Sequence, residues 1–209
     1  MSNRMVHCVV YSHVWALQNL DKLPQLGNLE KAAIVELAIN SNLSAAFVDS
    51  MKHRMGLGGL LRNNLGLNDI VEKVDGLAQA VAFAPRPPIP LGALSSAAGL
   101  LRSASGDFDK VILMVNSMES LQLSACMVNA DRFYVLWDLA DAPTRSLTQI
   151  GEALAAQRLL SSDSWGGFHL YSHAKRPVND EKGVRESFSK ILMQYPQLTP
   201  SSVRQGAFV

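Results

Sequence analysis

The sequence predicts an α+β domain in which an antiparallel sheet of about three to five strands packs on helices, with the helices concentrated in roughly the first 80 to 90 residues. Three observations predict it. Apolar residues recur at helical spacing through much of the first 83 residues. A proline-dense seam, Ala84-Pro85-Arg86-Pro87-Pro88-Ile89-Pro90-Leu91-Gly92, then removes backbone donors and holds the chain extended. Beyond the seam come short runs rich in branched and aromatic residues, separated by turn-sized gaps. The expected organisation is one domain over residues 1–209, with a helix-rich part at 1–83, a proline-rich loop at 84–92 and a sheet-containing part at 93–200.

The opening stretch, His7-Cys8-Val9-Val10-Tyr11-Ser12-His13-Val14-Trp15, supports two readings. As a buried strand over residues 6–11 it uses Cys8 as a small apolar filler. As a helix over residues 9–20, with Val10, Val14 and Leu17 at helical spacing, it sets Cys8 at a helix N-terminus, where the dipole lowers a thiol pKa. Residues 29–39 carry a helical pattern with Asn28 as N-cap, followed by further helical patterns at 43–55 and 68–83. Gly56, Gly58 and Gly59 break the middle of this region. After the seam, residues 94–102 predict a short helix. Residues 110–115, 121–128 and 133–136 predict a three-strand antiparallel meander, with Asn116-Ser117 and Asn129-Ala130-Asp131 as turns and Trp137 near its end. Residues 147–160 return to helical periodicity, 168–172 predict a fourth strand, and 186–195 a closing helix ended by Pro196 and Pro200. A frayed tail is expected from Ser201.

A chain of 209 residues can bury a substantial core. Its 19 basic and 18 acidic residues are thinly spread, which gives no electrostatic footprint for nucleic acid or an anionic membrane. Two cysteines, Cys8 and Cys126, argue against a disulfide framework and for a reducing compartment. No stretch reaches the roughly 18 uninterrupted apolar residues of a membrane span. The first residues also lack the basic, apolar and small-residue pattern of a secretory signal. The expected location is the cytoplasm, or outside the cell by way of a dedicated export machine. No spacing of His, Cys or carboxylate residues suggests a metal, and no cofactor is implied.

Cys8, Ser12 and Trp15, then Leu123-Ser124-Ala125-Cys126-Met127-Val128, then Phe133-Tyr134-Val135-Leu136-Trp137-Asp138 ahead of the helix at 147–160, follow one another in a suggestive order. This order resembles the papain-like cysteine peptidases and acyltransferase-like relatives that bacteria deliver as type III effectors. The resemblance implies a papain-like fold, Cys8 as nucleophile, a base on the second motif and Asp138 as the group that orients the base. It departs from the family at Ser124, which stands where the family has His, and a neutral hydroxyl is no general base. On this reading Cys8, Ser124 and Asp138 form the site of a thiol-dependent peptidase or acyl-transfer enzyme, or of a degenerate relative that binds rather than cuts. His169 and His173 are candidate replacements for the base. The plainer readings are a half-buried His169 bonded to a carbonyl, a solvated strand end at His173 beside Lys175 and Arg176, and a turn at Asp138-Leu139-Ala140-Asp141.

Two further function classes fit particular stretches. His53-Arg54-Met55-Gly56-Leu57-Gly58-Gly59 resembles the loop by which Gcn5-related acetyltransferases hold the coenzyme A pyrophosphate, although a glycine-rich break between helices accounts for it too. A non-catalytic interaction or assembly protein fits the small and apolar residues of the first half, Ala32, Ala33, Ala45, Ala46 and Ala80 among them. It implies a protein partner or a homo-oligomer.

Overall fold

Val111-Ile112-Leu113-Met114-Val115 and Phe133-Tyr134-Val135-Leu136-Trp137 are apolar or aromatic at every position, without polar alternation. A run of that kind suits a strand covered on both faces, the condition of a parallel sheet. The computed structural model describes residues 4–23, 26, 29–37, 65–73, 80–82, 99–104, 106–116, 130–141, 164–171, 181–194 and 203–205, and in it these runs are such strands. The strands are β1 (Met5–Tyr11), β2 (Ala32–Glu36), β3 (Glu72–Lys73), β4 (Ala80–Ala82), β5 (Lys110–Asn116), β6 (Arg132–Asp138), β7 (Trp165–Tyr171) and β8 (Val203–Gln205). They form one eight-stranded sheet in the order β3-β4-β2-β5-β1-β6-β7-β8. Every neighbouring pair among the described strands is parallel except β3 with β4.

This overturns the expected antiparallel sheet. β5 and β6 are not hairpin neighbours, because β1 lies between them and runs parallel to both: Cys8 pairs with Leu113 on one side and Phe133 on the other. Residues 117–131 span a connection long enough for a parallel crossover, which needs about a dozen residues. The middle strand expected at 121–128 lies outside the described residues, as do the helices expected at 43–55 and 147–160 and the proline seam at 84–92. The helix expected at 29–39 is replaced by β2. Its Ala32-Ala33-Ile34-Val35 run is buried at every position, and periodicity alone does not separate so short an apolar run from a helix. The helix expected at 68–83 shrinks to α1 (Leu67–Ile70), followed by β3 and β4. Residues 99–103 are helical as expected, the closing helix is α2 (Glu181–Gln194), and part of the tail expected to fray forms β8.

The sheet has a core on each face. Val6, Cys8 and Val10 point to one face with Val111, Leu113, Val115, Phe133, Val135 and Trp137, under Leu67, Ile70 and Leu101. Val9 and Tyr11 point to the other with Ile112, Met114, Tyr134, Leu136 and Tyr171. That second face is covered from β1 onward by a chain with leucine at every third position: Leu17, Leu20, Leu23, Leu26 and Leu29, all buried. In an α-helix a three-residue step turns about 300°, so five such leucines would wander around the axis. In a 3-10 helix it turns a full circle and they stay in line. Residues Val14–Lys22 are accordingly a 3-10 helix. The same three-residue bonding recurs beyond it, from Leu23 N–H to the Leu20 carbonyl (3.1 Å) and from Leu26 N–H to the Leu23 carbonyl (3.1 Å).

Arg4 ties the start of β1 to the other layer. Its guanidinium donates to the carbonyls of Leu101 (3.0 Å), Ala104 (2.6 Å), Gly106 (3.0 Å) and Phe108 (2.7 Å), collecting acceptors left over where the helix at 99–103 ends. Burial lowers its pKa from the ordinary value, partly offset by Asp109.

Candidate functional site

Strand order places the candidate site. β1 leads to β2 on one side, whereas its neighbours β5 and β6 lead to strands on the other side. Divergent connections open a crevice beyond the carboxyl ends of the strands, which is where open α/β sheets hold ligands. The rim here is formed by Ser12 and His13 after β1, Asn116 ending β5, and Asp138 to Asp141 at the end of β6. Glu36 ends β2 and Tyr171 ends β7.

Several of these residues bond to one another. Ser12 N–H donates to the Leu136 carbonyl (3.2 Å), while Ser12 Oγ accepts the Asp138 N–H (2.8 Å). Asp138 Oδ1 accepts the Ala140 N–H (2.9 Å) and the Asp138 carbonyl accepts the Asp141 N–H (2.9 Å), so Asp138-Leu139-Ala140-Asp141 is the turn that its composition suggested. Trp137 Nε1 donates to the Asp141 carbonyl (3.2 Å), Leu139 N–H to the Tyr171 carbonyl (2.8 Å) and Tyr171 O–H to the His13 carbonyl (3.3 Å). Asp138 and Glu36 are fully buried.

Of the site residues expected from sequence, Cys8 lies inside β1 and is fully buried among Val6, Val10, Leu113 and Phe133, so the strand reading of this stretch holds rather than the helical one. Cys8 pairs with Phe133, five positions before Asp138, which separates the two by about 17 Å along the strand at ~3.3 Å per residue. The sheet does not bring them together. Ser124, Cys126 and His173 lie outside the described residues. His169 is buried with Nε2 2.9 Å from the Gly166 carbonyl, the plain structural role. The rim residues Ser12, Glu36, Asn116 and Tyr171 were not singled out from sequence as rim residues. Their signal is a polar group closing a solid apolar run, as in Ala32-Ala33-Ile34-Val35-Glu36 and Val111-Ile112-Leu113-Met114-Val115-Asn116.

Away from the rim, His7, Tyr134 and His169 form a row across β1, β6 and β7, with ring centroids 6.1 Å apart at each step. His7 is buried and its Nδ1 has no hydrogen-bond partner among the described residues. Burial, reinforced by Lys110 and Arg132 and opposed by Asp131, lowers its pKa to about 4. Burial also raises the Tyr134 hydroxyl to about 12, against the pull of Arg132. Among the described residues no cluster of three or more His, Cys, Asp or Glu side chains could hold a metal ion.

No protein-family model matches the sequence, and no curated protein matches it closely. Solved structures do match its shape. A putative plasmid partition protein from Borrelia burgdorferi bound to AMPPNP superposes with a TM-score of 0.60 at 11% identity, over 97% of this chain and 86% of that one. The ATP complex of McdA(D38A) from Cyanothece gives 0.62 at 16% identity, over 98% and 83%. The MinC:MinD cell division complex of Aquifex aeolicus gives 0.59 at 13% identity, over 92% and 78%. The fold is that of the ParA/MinD-like P-loop ATPases.

A parallel sheet of this order has no place for a papain-like site, so the papain-like fold, the thiol-dependent peptidase or degenerate relative, and the effector-like character drawn from it are all set aside. The coenzyme A-dependent acyltransferase falls with them. The ParA/MinD-like fold implies a nucleotide. A P-loop is G-x-x-x-x-G-K-[S/T] between a strand and a helix, its glycines letting backbone amides approach phosphate. This chain contains no Gly-Lys pair anywhere, and the first glycine after β1 is Gly27. The residues present do not fit a P-loop nucleotide. No helix among the described residues is long and apolar enough to cross a membrane.

Proposed function

We propose that this chain is a partition- or positioning-type protein of the ParA/MinD kind, acting through contacts with a protein partner or a second copy of itself. The observation that carries the reading is the strand order around β1, with a likeness that spans 92 to 98% of the chain for a plasmid partition protein, a MinD in complex with MinC, and McdA. A single domain over residues 1–209 belongs to the same proposal, supported by strands from Met5 to Gln205 in one sheet. The cytoplasm is the compartment the proposal implies.

Two measurements test it together. Light scattering over a concentration series should show self-association, or a fluorescent fusion in the native cell should show foci or a gradient. A strictly monomeric protein that is also uniformly distributed in the cell would overturn the reading.

A further inference from the structure

The connection that leaves β1 is built against phosphate binding. A phosphate cradle needs several backbone amides free to converge on one anion, usually with glycines to let the anion approach. Here residues 12–26 contain no glycine, and the period-three leucines commit the segment to a 3-10 path pinned on the sheet. From Ala16 onward its amides are used internally, beginning with Ala16 N–H to the His13 carbonyl (3.0 Å), and the Ser12 N–H before them is taken by the Leu136 carbonyl (3.2 Å). The rim groups nearest β1 are occupied as well, with Ser12 Oγ on the Asp138 amide and the Tyr171 hydroxyl on the His13 carbonyl. The described rim also lacks the basic side chains that phosphate sites use. Residues directly following the central strands, Ser12, His13, Leu37, Leu139, Ala140 and Asp141, include no lysine or arginine among those described, while Glu36, Asp138 and Asp141 bring carboxylates to the rim. No described lysine or arginine stands there to pair with a polyphosphate.

We infer that the crevice is a fixed clasp, closed by Ser12, Asp138 and Tyr171, and that this chain works without binding Mg-ATP there. The inference rests on the fold likeness and not on the partition role. A clasp of this kind holds β1, β6 and β7 in one relative arrangement at their carboxyl ends. Any partner surface built on the loops beyond them is then constitutive rather than switched by nucleotide.

The test uses the intact chain. Equilibrium dialysis with radiolabelled ATP and Mg²⁺, repeated with AMPPNP, should show no saturable binding up to about 1 mM. Hydrogen exchange at the amides of Asp138, Leu139 and Ala140 should be slow and unchanged by Mg-ATP. Ser12→Ala should speed exchange at the Asp138 amide roughly three- to tenfold, the loss expected for one hydrogen bond, without creating ATP binding. If Ser12→Ala does not fold, Tyr171→Phe removes the hydroxyl bond to the His13 carbonyl and should speed exchange at Ala16, which bonds to the same carbonyl. Saturable ATP binding, an ATP-dependent change at these amides, or a folded variant with wild-type exchange would each overturn the clasp. Saturable binding would leave the partition reading standing. A uniformly distributed monomer that ignores ATP would sink the partition reading and leave the clasp.

Discussion

Gly166→Ala should be among the most damaging single-methyl changes in this chain. In β7 the pairing slips by one: Phe133 faces Trp165 and Tyr134 faces Gly167, leaving Gly166 as the extra residue of a bulge. A Cβ at Gly166 would lie 2.2 Å from Tyr134 Cε1, 2.3 Å from Cδ1 and 2.8 Å from Cζ. Carbon atoms rest at about 3.5–4.0 Å, so the ring would have to move by more than ~1 Å. It has little room, being fully buried with the rings of His7 and His169 centred 6.1 Å away on either side. Overpacking costs about 1–3 kcal/mol in general, and the enclosed ring puts this case near the upper end. At ~2–4 °C per kcal/mol for a domain of this size, the loss in Tm is roughly 6–12 °C. Urea unfolding followed by circular dichroism measures it. The decisive control is a double-mutant cycle: Tyr134→Ala alone costs about 3–5 kcal/mol, but it also removes every atom in the clash. The pair should therefore cost at least ~2 kcal/mol less than the sum of the two. Gly167, at φ 103°, needs glycine for its backbone instead, so Gly167→Ala should cost about 1–2 kcal/mol through backbone strain. A Gly166→Ala protein within ~0.5 kcal/mol of wild type, or strict additivity with Tyr134→Ala, would refute the steric argument.

His7 sets a pH dependence of known sign. Its folded pKa of about 4 lies below the ordinary 6.5, so between these values the unfolded chain binds the proton and the folded one does not. Stability should be full above pH ~6.5 and fall by up to about 3 kcal/mol as pH drops toward 4. His7→Phe should flatten that part of the profile, and an unchanged slope would assign it to other groups. Leu20→Ala, at a fully buried rung of the leucine series, should cost about 2–5 kcal/mol, whereas Asp21→Ala beside it on the exposed side should stay within ~0.5 kcal/mol. Equal effects at the two positions, read from urea midpoints, would show that the three-residue repeat does not hold the segment on the sheet.

The sequence by itself determined where several strands lie and how they are covered. The runs at 110–115, 133–136 and 168–172, the strand reading at 6–11 and the closing helix are all visible in local pattern, and Asp138-Leu139-Ala140-Asp141 reads correctly as a turn. The solid apolar runs even carried the mark of a parallel sheet, although turn-sized gaps argued for a meander. The period-three leucines were equally legible and specify a 3-10 path. Tertiary structure alone decided which strand neighbours which, and it was decided by contacts far apart in the chain. β1 enters between β5 and β6, the Val6 amide donates to Asp131 Oδ2 across 125 positions, and Ser12 meets the Asp138 amide across 126. Local periodicity records which faces of a segment are buried, but hydrogen-bonding edges look alike in every strand. The order that turns Ser12, Asp138 and Tyr171 into one rim is therefore fixed by the packing of the whole sheet.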